Sequence, residues 1–148
     1  MQENKELLKY VAPFFSPLGN GFCTFYEKDS GSRTVFIEFL NVKNLDLNKL
    51  KTISILFLPG NQISDIEVLS LVENIEYLNL KDNQITNVLP LQGLKNLRHL
   101  ELQNNQITDI TPLTDLPGLN YLNLFHNPVI GSNTIDQLKR KLGENFII

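Results

Sequence analysis

The sequence has little of the chemistry on which enzymes, disulfide-bonded secreted proteins and membrane proteins rely. Cys23 is the only cysteine among 148 residues, so no internal disulfide can form. No run approaches the roughly 18 to 20 apolar residues needed to cross a bilayer. The first ten residues also lack the cationic and apolar regions of a secretory signal. These absences predict a cytoplasmic protein without a membrane segment.

Catalytic motifs are equally scarce. The two histidines, His99 and His126, are 27 residues apart, and no cysteine or carboxylate stands at metal-ligand spacing from them. Cys23 has no evident general base, and neither a glycine-rich phosphate loop nor a GxSxG motif occurs. The sequence therefore predicts a protein without enzymatic activity, cofactor or bound metal.

The charge of the chain bears on the partners that it could bind. Between Ile53 and Gly118 there are eight carboxylates and three cations (3 − 8), a net charge of −5, and no stripe of Lys and Arg. Nucleic-acid binding relies on such stripes, because clustered cations release counterions from the phosphate backbone. An acidic protein instead attracts a basic protein partner, although acidity can also serve solubility alone.

What the sequence does contain is an internal repeat of 22 residues. Four asparagines stand at this spacing, and each is preceded by three apolar residues in the same pattern, at Ile53-Leu56-Leu58-Asn61, Ile75-Leu78-Leu80-Asn83, Leu97-Leu100-Leu102-Asn105 and Leu119-Leu122-Leu124-Asn127. One unit has too little apolar surface to form a core alone, so the units must stack, each covering the open face of its neighbour. The repeats therefore predict a solenoid over residues 53–129.

The repeated asparagine has a physical reason. Each short strand ends in a turn whose amide and carbonyl groups point into the stack, where water cannot reach them. An asparagine side chain both donates and accepts hydrogen bonds, so one per coil can bond the main chain of its own coil and of the adjacent coil. Leaving such buried groups unsatisfied costs about 1 to 3 kcal/mol each. We therefore predict a structural asparagine ladder of Asn61, Asn83, Asn105 and Asn127.

The consensus of these units, LxxLxLxxNxIxxIxxLxxL, resembles the leucine-rich repeat in the 22-residue form of bacterial internalins and phosphatase-regulating proteins. The stretch LRHLELQNNQITDITPLTDLPG fits this consensus at every apolar position. The resemblance covers residues 53–129 closely and reaches back to Leu47 and Leu50. It implies an α/β solenoid, a right-handed coil with a parallel β-sheet on its concave side and irregular or short helical segments on its convex side.

The flanking sequence differs from the repeats and predicts a cap at each end of a single domain spanning residues 1–148. Residues 1–52 are expected to contain a helix over Glu3 to Val11, which has apolar residues at helical spacing. A β-hairpin is expected next, because two aromatic and β-branched runs flank a turn at Asp29 to Ser32. Such a cap would cover the apolar face that stacked repeats leave open at their end.

Residues 130–148 are expected to close the other end of the stack. Asn133 or Thr134 can cap a helix whose apolar face is formed by Ile135, Leu138 and Leu142. The last three residues, Phe146 to Ile148, are expected to pack against the last coil.

Alternation along each strand points the leucines inward and places the intervening residues on the concave sheet. Across the coils these residues form three rows, namely Ile55, Tyr77, His99 and Tyr121, then Phe57, Asn79, Glu101 and Asn123, then Pro59, Lys81, Gln103 and Phe125. The loops beyond present Asp82, Asn104 and His126.

Aromatic side chains on a rigid sheet favour a protein interface, because Tyr and Phe bury large areas while losing little rotamer freedom. Two other interpretations remain open: aromatic pairs stabilise sheets in any case, and the amino-terminal cap could cover Ile55 and Phe57. From these rows we predict partner binding by Phe57, Tyr77, Asn79, Lys81, His99, Glu101, Tyr121, Asn123, Phe125 and His126.

These features favour a protein-binding module. The leading hypothesis is a bacterial inhibitor or immunity protein that neutralises a basic partner, such as a toxin nuclease, on its concave aromatic face; it rests on size, charge and architecture. The alternative is a cytosolic leucine-rich repeat adaptor or an internalin-like binding protein. The protein is expected to be a monomer by itself, and neither nucleic acid nor a membrane is an expected partner.

Overall fold

The computed structural model describes the backbone of residues 22–28 and 32–38 and the continuous stretch 54–148. The helix predicted over Glu3 to Val11 and residues 29–31 of the predicted turn lie outside these residues, as do Leu47 and Leu50, whereas Ser32 of that turn is the first residue of a strand. No helix among the described residues is long and apolar enough to cross a membrane.

Short strands alternate with 3₁₀ segments along the described part of the chain. Its strands are β1 (Phe22–Lys28), β2 (Ser32–Glu38), β3 (Ile55–Phe57), β4 (Tyr77–Asn79), β5 (His99–Glu101), β6 (Tyr121–Asn123) and β7 (Phe146–Ile147). The α-helix α1 (Ser132–Leu142) stands between the last two strands. The 3₁₀ helices span Glu67–Leu71, Leu89–Leu91, Thr111–Leu113 and Gly143–Asn145.

The strands form one sheet whose order follows the chain from β1 to β7. β1 pairs antiparallel with β2, with Phe22 opposite Glu38 and Lys28 opposite Ser32, so the two strands of the predicted hairpin are present. Every later pair, from β2 with β3 to β6 with β7, is parallel. A parallel sheet with one strand per 22-residue unit is the solenoid that the repeats predict. The role of the hairpin as a cap stays a prediction.

The core is a column of leucine, isoleucine and valine between the sheet and the 3₁₀ side. The second and third coils contribute the same set of buried positions, and the fourth contributes only its strand leucines. In the second coil all members of the set are at most 1% exposed, namely Ile75, Leu78, Leu80, Ile85, Val88, Leu91 and Leu94. Burying one such side chain contributes about 1.5 to 3 kcal/mol. The coils are therefore held together chiefly by apolar contacts between equivalent positions.

The turns on the convex side also share a repeated side-chain hydrogen bond. Asp65, Asn87 and Asp109 stand 22 residues apart, and the Oδ1 atom of each accepts a hydrogen bond from the backbone N–H two residues later, at 2.9 to 3.0 Å. This bond starts each 3₁₀ segment, as side chains of Asx turns do. The side-chain and backbone hydrogen bonds from Thr111 lower the pKa of Asp109.

The asparagines bond adjacent coils through the main chain. Asn83 Oδ1 accepts hydrogen bonds from the backbone N–H groups of Asn61 and Ile63, both at 3.0 Å. Its Nδ2 donates to the carbonyl oxygens of Leu58 at 2.9 Å and Leu80 at 2.8 Å. One and two coils later, the Oδ1 atoms of Asn105 and Asn127 accept from the backbone N–H groups of Ile85 and Ile107. Their Nδ2 atoms donate to carbonyls of their own and the preceding coil, namely those of Leu80, Leu102 and Leu124.

Helix α1 closes the described repeats, but it begins differently from the sequence prediction. The prediction that Asn133 or Thr134 caps it is wrong: the N-cap is Gly131, which has φ 104° and makes no side-chain cap bond. The backbone N–H of Ile135 donates to the Gly131 carbonyl at 3.2 Å, so helical bonding already starts at Gly131. Asn133 and Thr134 consequently lie inside the first turn.

Beyond α1 the chain returns to the sheet. Phe146 pairs with Leu122 and is 8% exposed, and the backbone N–H of Leu124 donates to the Ile147 carbonyl at 2.7 Å. The side chain of Lys141 donates to the Thr114 carbonyl at 3.2 Å and also to the Leu116 carbonyl, which ties α1 to the preceding coil. The final residues thus extend the sheet by one strand, besides packing on the last coil.

Asn83→Ala is expected to lower the free energy of unfolding by a few kcal/mol, because it leaves two backbone N–H groups and several carbonyls without their partner. The matched control is Asn120→Ala, which removes an exposed amide and should change stability by less than about 0.5 kcal/mol. Urea unfolding followed by circular dichroism measures both. Equal midpoints for the two variants would contradict a structural role of Asn83.

Candidate binding face on the concave sheet

The parallel register sets the candidate site. Ile55, Tyr77, His99 and Tyr121 are directly paired across β3 to β6, and Phe57, Asn79, Glu101 and Asn123 form the neighbouring row. The leucine between the two rows, such as Leu78 in β4, is fully buried. Both rows therefore face away from the core, and all their members except the buried Asn79 are partly exposed.

The aromatic residues of these rows form a continuous stack, which we name the ring stack: Phe57, Tyr77, His99 and Tyr121. The ring centroids of Tyr77 and His99 are 4.2 Å apart with a 10° interplanar angle, and those of His99 and Tyr121 are 4.0 Å apart with a 5° angle. Phe57 joins at 4.9 Å and 32° from Tyr77. Because the rings cover one another's faces, the stack presents mainly ring edges and hydroxyl groups to solvent.

Glu101 is the polar centre of the face. Its Oε1 accepts from the Tyr77 hydroxyl at 3.5 Å and lies 3.1 Å from His99 Nε2, and its Oε2 accepts from Gln103 Nε2 at 2.7 Å. The Glu101 side chain is only 16% exposed, so its charge is largely engaged by its neighbours. Gln103 Oε1 is buried and has no hydrogen-bond partner in the described part of the chain. The sequence placed Gln103 in the third row but did not predict its hydrogen bond to Glu101.

Burial and Glu101 change the acidity of Tyr77. Desolvation raises its pKa above the ordinary value of 10.0, and the negative charge of Glu101 and the hydrogen bond to it raise it further. The phenol therefore stays protonated and donates to Glu101 throughout the physiological range. The ring of Tyr77 is oriented mainly by Phe57 and His99, which stack on its two sides, and the hydroxyl contact with Glu101 agrees with that orientation.

In the loops beside the sheet, the side chains of successive coils are also linked by hydrogen bonds, and the residues involved lie in a row of left-handed turns. Gly60, Asp82, Asn104 and His126 stand 22 residues apart and all have positive φ, between 56° and 67°. Asn104 Nδ2 donates to Asp82 Oδ1 at 2.6 Å, and Asn104 Oδ1 is 2.9 Å from His126 Nδ1. Since Asn104 offers its oxygen there, His126 Nδ1 must carry the proton.

Phe125 lies next to this row and is the most exposed aromatic residue of the face, at 48%. Its ring stacks on His126 with centroids 3.9 Å apart and a 25° interplanar angle. The hydrogen-bonded loops hold His126, and His126 in turn supports one side of Phe125. An exposed ring that is held in place loses little entropy on binding.

The predicted site residues differ in how accessible their side chains are to a partner. Asn79 is only 8% exposed, and the Oδ1 atoms of Asn79 and Asn123 each accept a 3.1 Å bond from the backbone N–H two residues later, so these amides serve their own strands. Lys81 lies partly exposed in the third row. The residues with accessible contact chemistry are Phe57, Tyr77, Lys81, His99, Tyr121, Phe125 and His126, with Glu101 behind them.

One residue of the face escaped sequence reasoning. Ile147 pairs with Asn123 across β6 and β7, which puts it on the concave side, and it is 37% exposed. The only signal was the apolar pair Phe146-Ile147 after a helix, and that pattern does not reveal a parallel strand. Among the described residues, no group of three His, Cys, Asp or Glu side chains could hold a metal ion.

A family model for leucine-rich repeats, in two copies, matches residues 73–114 and 95–140. It covers the coils that carry the ring stack from Tyr77 onward. These coils are leucine-rich repeats. Their 22-residue spacing and buried leucines are those of the bacterial internalin type.

Solved leucine-rich repeat structures agree with this assignment. Internalin C2 of Listeria monocytogenes is 36% identical, with a TM-score of 0.57 over 66% of this chain and 42% of that chain. Internalin F of the same organism is 31% identical, with a TM-score of 0.60 over 68% and 30%. A leucine-rich repeat protein of Leptospira interrogans is 27% identical, with a TM-score of 0.57 over 70% and 28%.

The chain thus spans less than half the length of each of these structures. No curated protein matches it. The comparisons therefore concern the repeat scaffold.

Glu101→Gln is expected to lower the pKa of Tyr77 toward its ordinary value, because the negative charge that disfavours the phenolate is removed. Ring resonances of labelled tyrosine followed through a pH titration measure this shift. Glu73→Gln, an exposed carboxylate outside the sheet, is the control and should leave the Tyr77 titration unchanged.

The same shift predicts the pH dependence of stability. The folded pKa lies above the unfolded value of 10.0, so the folded state holds the Tyr77 proton more tightly. This contribution is fully present below pH 10 and is lost as the pH rises through the folded pKa. A loss of stability in this window that is unchanged in Glu101→Gln would contradict the coupling.

Proposed function

We propose that this leucine-rich repeat chain is a protein-binding module that holds one basic protein partner against its concave face. The observation that carries the proposal is the ring stack, which runs without interruption across four strands beside the exposed Phe125. The leucine-rich repeat is generally a non-catalytic scaffold for binding proteins. A rigid sheet with ordered aromatic side chains supplies the anchors that dominate protein interfaces.

The charge of the repeat region favours a basic partner. In the concave rows of the described residues, Lys81 is the one lysine or arginine, and the repeat region carries a net charge of −5. The cations of α1, Lys139, Arg140 and Lys141, belong to a different element, and Lys141 is engaged by the carbonyls of the preceding coil. A negatively charged surface speeds the approach of a positively charged protein and disfavours a phosphate backbone.

In its finer form, the proposal is a bacterial inhibitor or immunity protein that acts in the cytoplasm and neutralises a toxin domain such as a nuclease. Its support is an ordered aromatic face on a repeat region of net charge −5, a combination suited to one basic partner. The second candidate is an adaptor or an internalin-like binding protein with several partners, favoured by the 36% identity to internalin C2. Affinity capture followed by mass spectrometry separates them: one basic protein at equal stoichiometry supports the inhibitor, and many substoichiometric proteins support the adaptor.

Phe125→Ala is expected to weaken binding of the captured partner by about 1 to 4 kcal/mol while leaving the melting curve nearly unchanged, because its ring is 48% exposed and outside the core. Leu89→Ala is the matched control: it removes a similarly exposed apolar side chain, at 54%, from the convex side. Isothermal titration of both variants measures the difference. Equal affinities would remove the concave face as the binding site.

The sign of the charge gives a separate prediction. If the partner is basic, raising the salt concentration from about 50 to 500 mM should slow its association at least tenfold and change its dissociation much less, because screening acts on the approach of the two proteins. Stopped-flow or surface-based kinetics measure both rate constants. An association rate indifferent to salt would argue against a basic partner while leaving the concave site untouched.

A further inference from the structure

The ring stack ends with an open face at Tyr121. His99 covers one side of the Tyr121 ring at 4.0 Å, and among the described residues no ring stacks on the other side. The reason lies in the register. Leu122 pairs with Phe146, so the position next to Tyr121 falls on Asn145, which belongs to a 3₁₀ turn and is exposed.

The residues around this open face differ in chemistry. Ile147 faces the same side of the sheet and contributes an exposed aliphatic surface. Glu144 and Asn145 form the 3₁₀ turn that contacts β6, and both are exposed. A planar ring face, an aliphatic side chain and an amide are therefore placed at the carboxyl-terminal end of the concave face, and the exposed carboxylate of Glu144 belongs to the residue that precedes Asn145 in the same turn.

We propose that this corner receives an arginine side chain of the protein partner, an inference that rests on the proposed function. A guanidinium is planar and stacks on an aromatic face within about 6 Å of its centroid, so it continues the ring stack by one layer. Its methylene stem packs on aliphatic surface such as Ile147. Its five N–H donors match a carboxylate and an amide oxygen.

Arginine fits these features better than the other candidates. A lysine ammonium has no plane to stack, and an uncharged aromatic ring leaves the carboxylate of Glu144 unused. Lys141, the cation of α1 closest in sequence to Glu144, does not compete for this place, because its ammonium is bonded to the carbonyls of Thr114 and Leu116. The negative net charge of the repeat region also attracts a guanidinium at long range.

The test uses the whole chain and two small probes, N-acetyl-arginine methylamide and N-acetyl-lysine methylamide, titrated at constant ionic strength. Nuclear magnetic resonance follows the Tyr121 ring and the Ile147 methyl groups. We expect a saturable shift at both residues, with an affinity about two- to fivefold higher for the arginine probe. Equal responses to the two probes, or shifts spread over all exposed carboxylates, would overturn the inference.

Three variants sharpen this test. Tyr121→Leu should abolish the preference for arginine, whereas Tyr121→Phe, which retains the ring face, should preserve it. Glu144→Gln should weaken the arginine probe about two- to threefold, as expected for an exposed ion pair. A Tyr121→Leu protein that keeps the preference overturns the inference, provided that its resonance spectrum remains that of the folded protein.

The two proposals fail in different ways. If Phe125→Ala weakens the captured partner but neither Tyr121→Leu nor arginine-to-lysine changes in the partner do, the concave interface stands and the arginine corner is wrong. If none of these changes affects the partner, the proposed function itself is wrong. Loss of affinity on changing a single partner arginine, without further loss in the Tyr121→Leu background, supports both.

Discussion

The structure depends on one repeated interaction, the side-chain amide that bonds the main chain of two successive coils. Asn83 illustrates it, because a single side chain serves backbone groups on both sides of a coil boundary. Apolar contacts contribute most of the stabilisation of the fold, but they change little when one coil shifts slightly relative to the next. The amide is not, since its donors and acceptors are satisfied in one register alone.

This register builds the candidate binding face. Neighbouring strands in a sheet lie about 4.8 Å apart. The centroid distances of 4.0 to 4.9 Å in the ring stack are close to that spacing, so aromatic residues at equivalent positions meet face to face almost without adjustment. Glu101 contacts two of the rings, those of Tyr77 and His99. The same periodicity thus produces the core on one side of the sheet and the ordered surface on the other.

The fold of the repeats could be predicted from the sequence because each position of the unit recurs. Leu56, Leu78, Leu100 and Leu122 define the inward side of four strands, and alternation then assigns Tyr77 and Glu101 to the outer side. Elements that occur once gave weaker signals. β7 follows a helix and has no repeated partner to reveal its pairing, and Gly131 begins α1 although asparagine is the commoner cap.

For the candidate site, the sequence predicted which residues share a face but not their relative weight. The burial of Asn79 and the hydrogen bonds centred on Glu101 depend on rotamers chosen by several neighbours together, which no spacing rule reports. Ile147 joined the face only through the unexpected strand β7.

The row of left-handed turns has a consequence for how such a scaffold can diverge. In each coil the residue at this place has positive φ, and glycine, aspartate, asparagine and histidine fill the four places; in the first coil Gln62 has positive φ as well. Asparagine, aspartate and histidine tolerate that conformation better than β-branched residues do. The backbone itself therefore limits which residue types can occupy this row of loop positions. Substitutions in this row of loop positions are then confined to small or hydrogen-bonding residues. The outward-facing positions of the sheet beside it are free to change in size, charge and aromaticity.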